Sequence, residues 1–262
     1  MKKLLFLFDT DAYASVFDTV VGYDGGADNV TGYANVTPDN VGALVDGTIF
    51  TRGGKDKQNT AIFVGGSDMG KGEALLEAVK KKFFGPFRVS IMLDSNGSNT
   101  TAAAGVALLA KAKPLAGKKA VVLAGTGPVG MRAAAFLAEE GAEVTITSRT
   151  KERADVAAKA IETRFGAKVR GVAAFDDASR AAAIENTNII FAAGAIGVQL
   201  LPLSAWKDNP NIEMVADVNA QPPLGIGGLK LKLHRACVGK LFDSSEAVFD
   251  AEEIYALAKE MA

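Results

Sequence analysis

Cysteine and histidine are almost missing from this chain of 262 residues, which contains one of each, Cys237 and His234. A lone cysteine excludes an internal disulfide and any metal centre built from several cysteines. The sequence also contains neither H-E-x-x-H nor G-x-S-x-G, the motifs of zinc peptidases and of α/β-hydrolases. We therefore expect no metal site, a structural histidine and a buried, inert cysteine.

Excess charge of one sign and long apolar runs are missing as well. The 29 lysines and arginines nearly balance the 30 acidic residues, and no basic block stands out. Nucleic acid and anionic membranes are therefore not expected as partners. The apolar run at the start, residues 4–8, is interrupted by Asp9 and Asp11, so it is too short for a secretory signal. No stretch approaches the length of a membrane span. We expect a soluble, cytoplasmic protein.

The most informative feature that is present is a glycine-rich turn between two apolar segments. Residues 120–124 form an apolar run, an amphipathic helix pattern follows the turn, and residues 143–148 alternate like a second strand. This strand, turn, helix and strand is the context that the dinucleotide-binding motif G-x-G-x-x-G requires. The turn consists of Gly125, Thr126, Gly127, Pro128, Val129 and Gly130.

Each small residue of this turn has an expected role. Gly125 permits the tight turn, Gly127 lets the backbone approach a pyrophosphate, and Gly130 lets the helix pack closely on the strand. Pro128 suits an early helical position, because its missing N–H would have no intrahelical partner there. Free N–H groups at the helix start then face the phosphates.

The end of the second strand indicates which dinucleotide is bound. An NAD site usually has Asp or Glu about twenty residues after the glycines, where it accepts from the ribose hydroxyls. Here Ser148, Arg149 and Thr150 occupy that place, and Arg153 follows one turn later. Arginine suits bidentate contact with a 2′-phosphate, so the sequence predicts NADP rather than NAD. The alternative is that both arginines merely solvate the start of a helix.

Strands and helices continue to alternate after the fingerprint. A helix is predicted at 150–165 and another opened by Asp176 or Asp177, with strands at 169–172, 188–193 and 212–218. This order predicts a doubly wound parallel sheet of Rossmann type over residues 113–243. Loops after strand ends bind ligands in such sheets. We therefore expect the nicotinamide side of the site at Ala193, Gly194, Ala195, Ile196 and Asn219.

Residues 1–112 are predicted as a separate α/β domain, with residues 113–117 as the linker. Helices are expected at 15–21, 69–83 and 102–111, and a final helix at 244–262 is expected to pack back on this domain. Strands are predicted at residues 3–8, 48–51, 60–64 and 88–93.

Five strings of residues point to a known family: 8–11 (FDTD), 22–28 (GYDGGAD), 84–87 (FGPF), 93–105 (LDSNGSNTTAAAG) and 219–228 (NAQPPLGIGG). They resemble the bacterial methylene-tetrahydromethanopterin dehydrogenases of methylotrophs, and the resemblance covers essentially the whole chain. The resemblance implies an N-terminal pterin-binding domain, a Rossmann NADP domain and a cleft between them. It also implies a homo-oligomer that oxidises the methylene group to methenyl during formaldehyde oxidation, with methylene-tetrahydrofolate as a substrate of some members.

One departure from the family is visible in the sequence. Family members carry a longer loop between the counterparts of residues 224–228 and 229–232, whereas here these two segments run together.

The implied reaction moves a hydride from the carbon that bridges two pterin nitrogens to C4 of the nicotinamide. The product cation is stabilised by its own nitrogens, so no proton is abstracted and no catalytic base is required. Catalysis would then depend on holding the two rings in the orientation needed for hydride transfer.

The resemblance also suggests residues for the substrate. The amino-pyrimidinone edge of a pterin presents N–H donors, so Asp18, Asp24 and Asp94 are candidate partners. Each of the three is equally suited to cap a helix or a turn. Lys230 is expected to orient a substrate carbonyl, or else to be a solvated surface lysine. Asn99, Thr100 and Thr101 would bind the pterin or cap the helix that follows.

Two alternatives keep the NADP domain but change the activity. A shikimate-dehydrogenase-like enzyme would oxidise an alcohol and need a lysine–aspartate pair, for which Lys55 or Lys57 would have to serve. An NADP-sensing protein without turnover is the other alternative.

Overall fold

The computed structural model describes residues 1–219, 221–229, 248–249, 255 and 259. These residues divide into two compact units, each with its own parallel sheet. The first unit contains residues 1–100 with 248–249 and 255, and the second contains the other described residues.

The first unit is built on a five-stranded parallel sheet with the strand order β10-β4-β3-β1-β2. Because the order reverses between β1 and β3, the loops that follow these two strands flank the crevice where such sheets bind ligands. The strands are β1 (Leu4–Asp9), β2 (Asn29–Tyr33), β3 (Thr60–Gly65), β4 (Ser90–Leu93) and β10 (Val248–Phe249), and the helices are α1 (Val16–Asp24), α2 (Gly42–Phe50) and α3 (Met69–Lys82). Helix α4 (Ser98–Ala112) begins in the first unit, and its residues from Thr101 onward belong to the second.

Helices cover both faces of this sheet. α2 and α3 bury one face in an apolar core that includes Phe8, Ile62 and Leu75. α1 lies against the other face at very short range, because a Cβ atom on Gly22 would come within 2.8 Å of the Leu5 side chain. α3 ends in Lys80, Lys81 and Lys82, which complement the negative end of the helix dipole.

Two elements of the first unit differ from the sequence prediction. The prediction of a strand at 48–51 is wrong, because helix α2 runs through Phe50. The strand β2 is the second difference, since the sequence did not predict it. Val45, Thr48 and Ile49 are β-branched, yet their spacing buries all three on one side of a helix. The Thr48 hydroxyl donates to the Val45 carbonyl at 2.8 Å, so its polar group is satisfied inside the helix.

The second unit has the parallel strand order β7-β6-β5-β8-β9, which confirms the predicted doubly wound sheet. Its order reverses between β5 and β8, so the loops after these strands are the ones placed to bind a ligand. The strands are β5 (Lys119–Leu123), β6 (Glu143–Ser148), β7 (Arg170–Ala173), β8 (Ile189–Ala192) and β9 (Met214–Asp217), and the helices are α5 (Pro128–Glu139), α6 (Lys151–Phe165) and α7 (Asp177–Ile184).

Local capping explains where the helices of the second unit begin and end. Thr150 caps the start of α6, and Gly166 ends it in the left-handed conformation at φ 66°. Of the two residues that could open α7, Asp176 is the cap, in a reciprocal capping box with Ser179.

Part of the C-terminal prediction meets a described segment. Val248 and Phe249, inside the segment predicted as one helix at 244–262, instead pair with β4 as the short strand β10. Most of the other residues of that segment lie outside the described residues. Among the helices that the structure describes, none is both long and apolar enough to cross a bilayer.

Candidate functional site

The glycine-rich turn leaves β5 and is fastened to the neighbouring strand β6. Ala124 adopts a left-handed backbone with φ 53°, which is unusual for a residue with a Cβ atom. Its N–H donates to the Thr147 hydroxyl at 3.1 Å, and the N–H of Gly125 donates to the Thr147 carbonyl at 3.0 Å. The left-handed residue of the tight turn is therefore Ala124, whereas Gly125 was the residue expected to permit it.

The three glycines of the turn do different things. A Cβ atom on Gly125 would lie 2.8 Å from the Ile146 Cβ, so this glycine allows the turn to approach β6. A Cβ atom on Gly130 would lie 2.7 Å from the Gly125 Cα, so the start of α5 packs directly on the turn. A Cβ atom on Gly127 would meet none of the described atoms within 4 Å. Open space beside Gly127 is what a closely approaching pyrophosphate needs.

The start of α5 is arranged to bind an anion. Pro128 is the first helical residue, and Gly127 is an N-cap without a side chain that could accept from the helix. The N–H groups of Val129 and Gly130 belong to the first turn, so the helix itself offers them no acceptor. These N–H groups and the helix dipole favour a phosphate at this position.

The end of β6 presents two exposed cations. Ser148 is buried at the last position of β6, and Thr150 accepts from the N–H of Arg153 as the cap of α6. Arg149 and Arg153 are both exposed, and neither guanidinium forms a hydrogen bond or an ion pair within the described part of the chain. These two exposed guanidinium groups beside the second strand fit a 2′-phosphate.

The loops after β8 and β9 are connected to each other and to β5. The N–H of Ala193 donates to the Leu123 carbonyl at 3.0 Å, which joins the ends of β8 and β5. Asn219 is buried, and its side-chain amide donates to the Ala195 carbonyl at 3.3 Å. Gly194 packs against the Leu200 side chain, while Ile196 is exposed. The structure therefore brings the two predicted loop segments together at the carboxyl edge of the sheet.

A residue that the sequence analysis missed holds the second of these loops. One carboxylate oxygen of Asp217, at the end of β9, accepts from the N–H of Asn219 at 3.0 Å. The other oxygen accepts from the N–H of Ile226 at 2.9 Å. Asp217 thus closes the loop around Asn219. No local signal in the sequence distinguishes this aspartate, the last residue of β9, from an ordinary polar residue at the end of a strand.

The first unit carries a second polar cluster at the carboxyl ends of β1 and β3. Asp9 is buried and accepts from the N–H groups of Asp11 and Ser15 at 2.8 and 2.9 Å. Asp11 in turn accepts from the N–H and the hydroxyl of Ser67 at 2.9 and 3.0 Å. The loops that flank the crevice between β1 and β3 are therefore tied to each other. Neither aspartate was singled out from the sequence as a site residue.

Asp18 points its carboxylate over the end of β3. A Cβ atom on Gly65 would lie 3.2 Å from the Asp18 Oδ2 and 3.6 Å from the Asp9 Oδ2. Burial raises the pKa of Asp18 to about 6, and the charges of Asp94 and Asp9 act in the same direction, while a hydrogen bond with Ser15 opposes them. A half-buried carboxylate with a raised pKa is a typical feature of a binding or catalytic position.

Asp94 and the residues after it form the cap of α4. The Asp94 carboxylate accepts from the N–H groups of Asn99 and Thr100 at 2.8 and 3.1 Å and from the Thr100 hydroxyl at 2.5 Å. The Asn99 amide donates to the Leu93 carbonyl at 2.6 Å. Capping therefore occupies these three residues, and Thr101 continues the helix as a half-buried residue.

The remaining predicted residues lie apart from this cluster. Asp24 is the exposed last residue of α1, whereas Asp18 lies in the first turn of that helix. Lys230, His234 and Cys237 lie outside the described residues. Within the described residues, no group of three or more His, Cys, Asp or Glu side chains is arranged to hold a metal ion.

The two lysines considered for alcohol oxidation lie in the short helical turn Gly54–Asn59, which precedes β3. Lys57 is buried, donates to the Pro86 carbonyl and stands 5.0 Å from the centre of the Phe87 ring. Lys55 is exposed. Because this turn leads into β3, both lysines lie at the edge opposite to Asp9 and Asp18.

Solved structures offer only distant similarity. A 5-ketofructose reductase from Gluconobacter sp. is 16% identical, with 100% of this chain and 99% of that chain covered and a TM-score of 0.49. A shikimate dehydrogenase from Aquifex aeolicus is 14% identical, with 82% and 86% covered and a TM-score of 0.45.

Sequence relatives are much closer. Residues 16–96 match the family model described as methylene-tetrahydromethanopterin dehydrogenase, N-terminal. The NAD(P)-dependent methylenetetrahydromethanopterin dehydrogenase of Methylorubrum extorquens is 32% identical over 87% of this chain and 79% of its own length.

A second protein of the same organism, named bifunctional protein MdtA, is 64% identical over 100% of this chain and 99% of its own length. That alignment spans 286 residues, 24 more than the 262 of this chain, so the relative contains residues without a counterpart here. With such identity over its full length, the chain belongs to the methylene-tetrahydromethanopterin dehydrogenase family.

Proposed function

We propose that the protein is an NADP-dependent methylene-tetrahydromethanopterin dehydrogenase. The observation that carries the proposal is a complete dinucleotide-binding turn in a chain that is 64% identical to MdtA. Two arginines that pair with no other described residue follow this turn. When bound, NADP supplies the hydride acceptor, and the methylene carbon of the pterin supplies the hydride.

The residues of the second unit divide the binding of NADP between them. The space beside Gly127 and the first-turn N–H groups of α5 receive the pyrophosphate. Arg149 and Arg153 bind the 2′-phosphate, while Ser148 and Thr150 line the ribose. The loop segment 193–196 and Asn219 lie beside the nicotinamide. Thr126 and Val129 complete the turn around the phosphates.

Asp18 is the best-supported pterin ligand in the first unit. Adjacent N–H donors of the amino-pyrimidinone would satisfy a carboxylate that burial and two neighbouring aspartates destabilise. Asp94 and Asn99 act indirectly, because they fix the turn between β4 and α4. Thr100 and Thr101 follow on the same helix and border the site, whereas Asp24 is too far along α1 to share it. The role of Lys230 in orienting a substrate carbonyl stays a prediction.

The reaction requires the protein to orient the pterin and the nicotinamide, and it requires no proton transfer. Hydride loss from a carbon between two nitrogens leaves an amidinium-like cation, so no side chain must accept a proton. The main contribution of the protein is then to hold the two rings in a fixed orientation and to exclude water from them. The clamp from Asp217 to both ends of its loop serves this purpose, because it fixes Asn219.

Initial rates at the reduced-nicotinamide absorbance band test the proposal. Methylene-tetrahydromethanopterin and methylene-tetrahydrofolate are each offered with NADP and with NAD. We expect turnover with the methanopterin substrate, a clear preference for NADP and, if any, slower turnover with the folate. NADP binding without turnover on either pterin would contradict the dehydrogenase and favour a sensor.

Arg149→Ala tests the assignment of the 2′-phosphate. Since a charge-assisted hydrogen bond is worth about 1.5–3 kcal/mol, KM for NADP should rise roughly ten- to hundredfold while KM for NAD changes little. Lys151→Ala is the matched control, because Lys151 is a nearby exposed cation that already pairs with Asp155. Equal losses for both cofactors in Arg149→Ala would contradict the role given to this residue.

Assembly into a homo-oligomer and a cytoplasmic location stay predictions.

A further inference from the structure

Phe175 is a large apolar side chain that stands in solvent two residues after β7. It is 63% exposed, and within the described part of the chain no aromatic ring or cation contacts its ring. Phe175 directly precedes Asp176, the N-cap of α7, and an apolar residue at that place often packs against the fourth residue of the helix. Here the fourth residue is the cation Arg180, so this usual contact does not explain the phenylalanine.

The backbone around Phe175 is fixed although its ring is exposed. The N–H of Ala174 donates to the Ser148 carbonyl at 2.7 Å. The Arg180 guanidinium donates to the Phe175 carbonyl at 3.1 Å and to the Leu200 carbonyl at 3.2 Å. Because the backbone is already held in place, covering the ring with a ligand costs little additional ordering.

The strand order places Phe175 on the adenosine side of the proposed NADP site. Ala173 at the end of β7 is the register partner of Ser148 at the end of β6, so Phe175 and Arg149 follow neighbouring strand ends. In the order β7-β6-β5-β8-β9, the phosphate turn follows β5, the arginines follow β6, and the nicotinamide loops follow β8 and β9. The adenine is attached to the ribose that carries the 2′-phosphate and lies away from the nicotinamide, so it lies toward the loop after β7.

We propose that the ring of Phe175 stacks on the adenine of NADP. The inference rests on the proposed function, because it requires NADP to bind at the turn after β5. An aromatic side chain stacks on the flat face of a base and makes no use of the 2′-phosphate. Phe175 therefore adds affinity for NADP and NAD alike, whereas Arg149 distinguishes the two cofactors.

Calorimetric titration with adenosine 2′,5′-bisphosphate tests this contact, because the probe contains the adenine, the ribose and the 2′-phosphate but no nicotinamide. Phe175→Ala should raise the dissociation constants of the probe, of NADP and of NAD by the same factor, about tenfold or more. Phe175→Tyr keeps an aromatic ring and should stay within about twofold of the wild type. Phe175→Leu keeps an apolar side chain without a ring face, so it should bind the probe more weakly than Phe175→Tyr does.

Val156→Ala is the matched control. Val156 is 71% exposed on α6 of the same unit, so its substitution also removes an exposed apolar side chain. Its affinity for all three ligands should equal that of the wild type. Far-ultraviolet circular dichroism verifies that each variant is folded.

Three results would contradict the stacking contact, and they separate it from the proposed function. Wild-type affinity for the probe in Phe175→Ala would overturn the contact and leave the NADP assignment standing. A loss for NADP without a loss for NAD would overturn it as well, because stacking on the adenine serves both cofactors. A wild-type protein that binds neither the probe nor NADP would overturn the proposed function and this inference with it.

Discussion

Gly127 and Gly130 stand three residues apart in the same turn, yet substitution by alanine should affect NADP binding at the first and protein stability at the second. Gly127→Ala should leave the unfolding free energy within about 0.5 kcal/mol of the wild type, because its Cβ meets no atom of the described residues within 4 Å. It should weaken NADP binding about tenfold or more, since the methyl group takes space that the pyrophosphate needs.

Gly130→Ala should instead destabilise the protein without cofactor by about 1–3 kcal/mol, because its Cβ would lie 2.7 Å from the Gly125 Cα. Urea unfolding and calorimetric titration with NADP separate the two effects. A destabilised Gly127→Ala with normal NADP affinity would show that the space beside Gly127 is not the phosphate site.

Asp18 makes a pH-dependent prediction. Its folded-state pKa is raised to about 6, above the unfolded value, so the folded state favours the protonated acid. Stability is therefore fully present below about pH 4 and falls as the pH rises through 6. Asp18→Asn should remove this loss and gain on the order of 1 kcal/mol at pH 8, after allowance for screening of a half-buried group, with no gain at pH 4.

The same substitution should impair the substrate site. Pterin binding by Asp18 requires the carboxylate, so kcat/KM of the wild type should fall as the pH drops through about 6. Asp18→Asn should raise KM for the pterin and abolish that dependence, while Asp24→Asn, at an exposed position on the same helix, should do neither. Urea unfolding at the two pH values and a pH–rate profile give the answer. A more stable Asp18→Asn enzyme with unchanged KM would leave Asp18 as a strained residue without a ligand.

The loop after β9 is an element whose geometry depends on one side chain. Asp217→Asn leaves a single acceptor oxygen for the two N–H groups of Asn219 and Ile226. We expect kcat/KM to fall about tenfold or more, because a displaced loop loses the near-attack geometry. Binding through the 2′-phosphate should persist, so NADP affinity changes less than kcat. Asp208→Asn, an exposed aspartate near Lys207, is the control, and equal rates for both variants would contradict the role of the clamp.

Elements with strong local signals were predictable from the sequence. The turn after β5 was identified because glycine spacing, apolar strand and amphipathic helix agree over one continuous stretch. α2 was missed because Thr48 and Ile49 favour strands locally, while their burial depends on packing against the rest of the sheet. β2 was missed because an edge strand that is partly exposed carries a weak apolar pattern.

At the scale of the whole molecule, the polar sites depend on which strand ends become neighbours. Asp18 was proposed from pterin chemistry, but Asp9, Asp11 and Ser67 form a cluster only because β1 and β3 are adjacent. Nothing local distinguishes Asp9 or Asp217 from an ordinary turn residue. Each becomes informative once the strand order puts its carboxylate against two backbone N–H groups.

The two ligands should therefore protect different segments of the chain from hydrogen exchange. At about a hundred times its dissociation constant, a ligand stabilises the bound state by about 2.7 kcal/mol and can slow exchange roughly a hundredfold. NADP should protect residues 124–130 and 148–153, and tetrahydromethanopterin should protect residues 9–18 and 94–100. Arg149→Ala should reduce the first protection alone and Asp18→Asn the second alone, measured by mass spectrometry at matched occupancy. Protection of residues 9–18 by NADP alone, or of 124–130 by the pterin alone, would reverse the assignment of the two sites, because each strand-end crevice would then bind the other ligand.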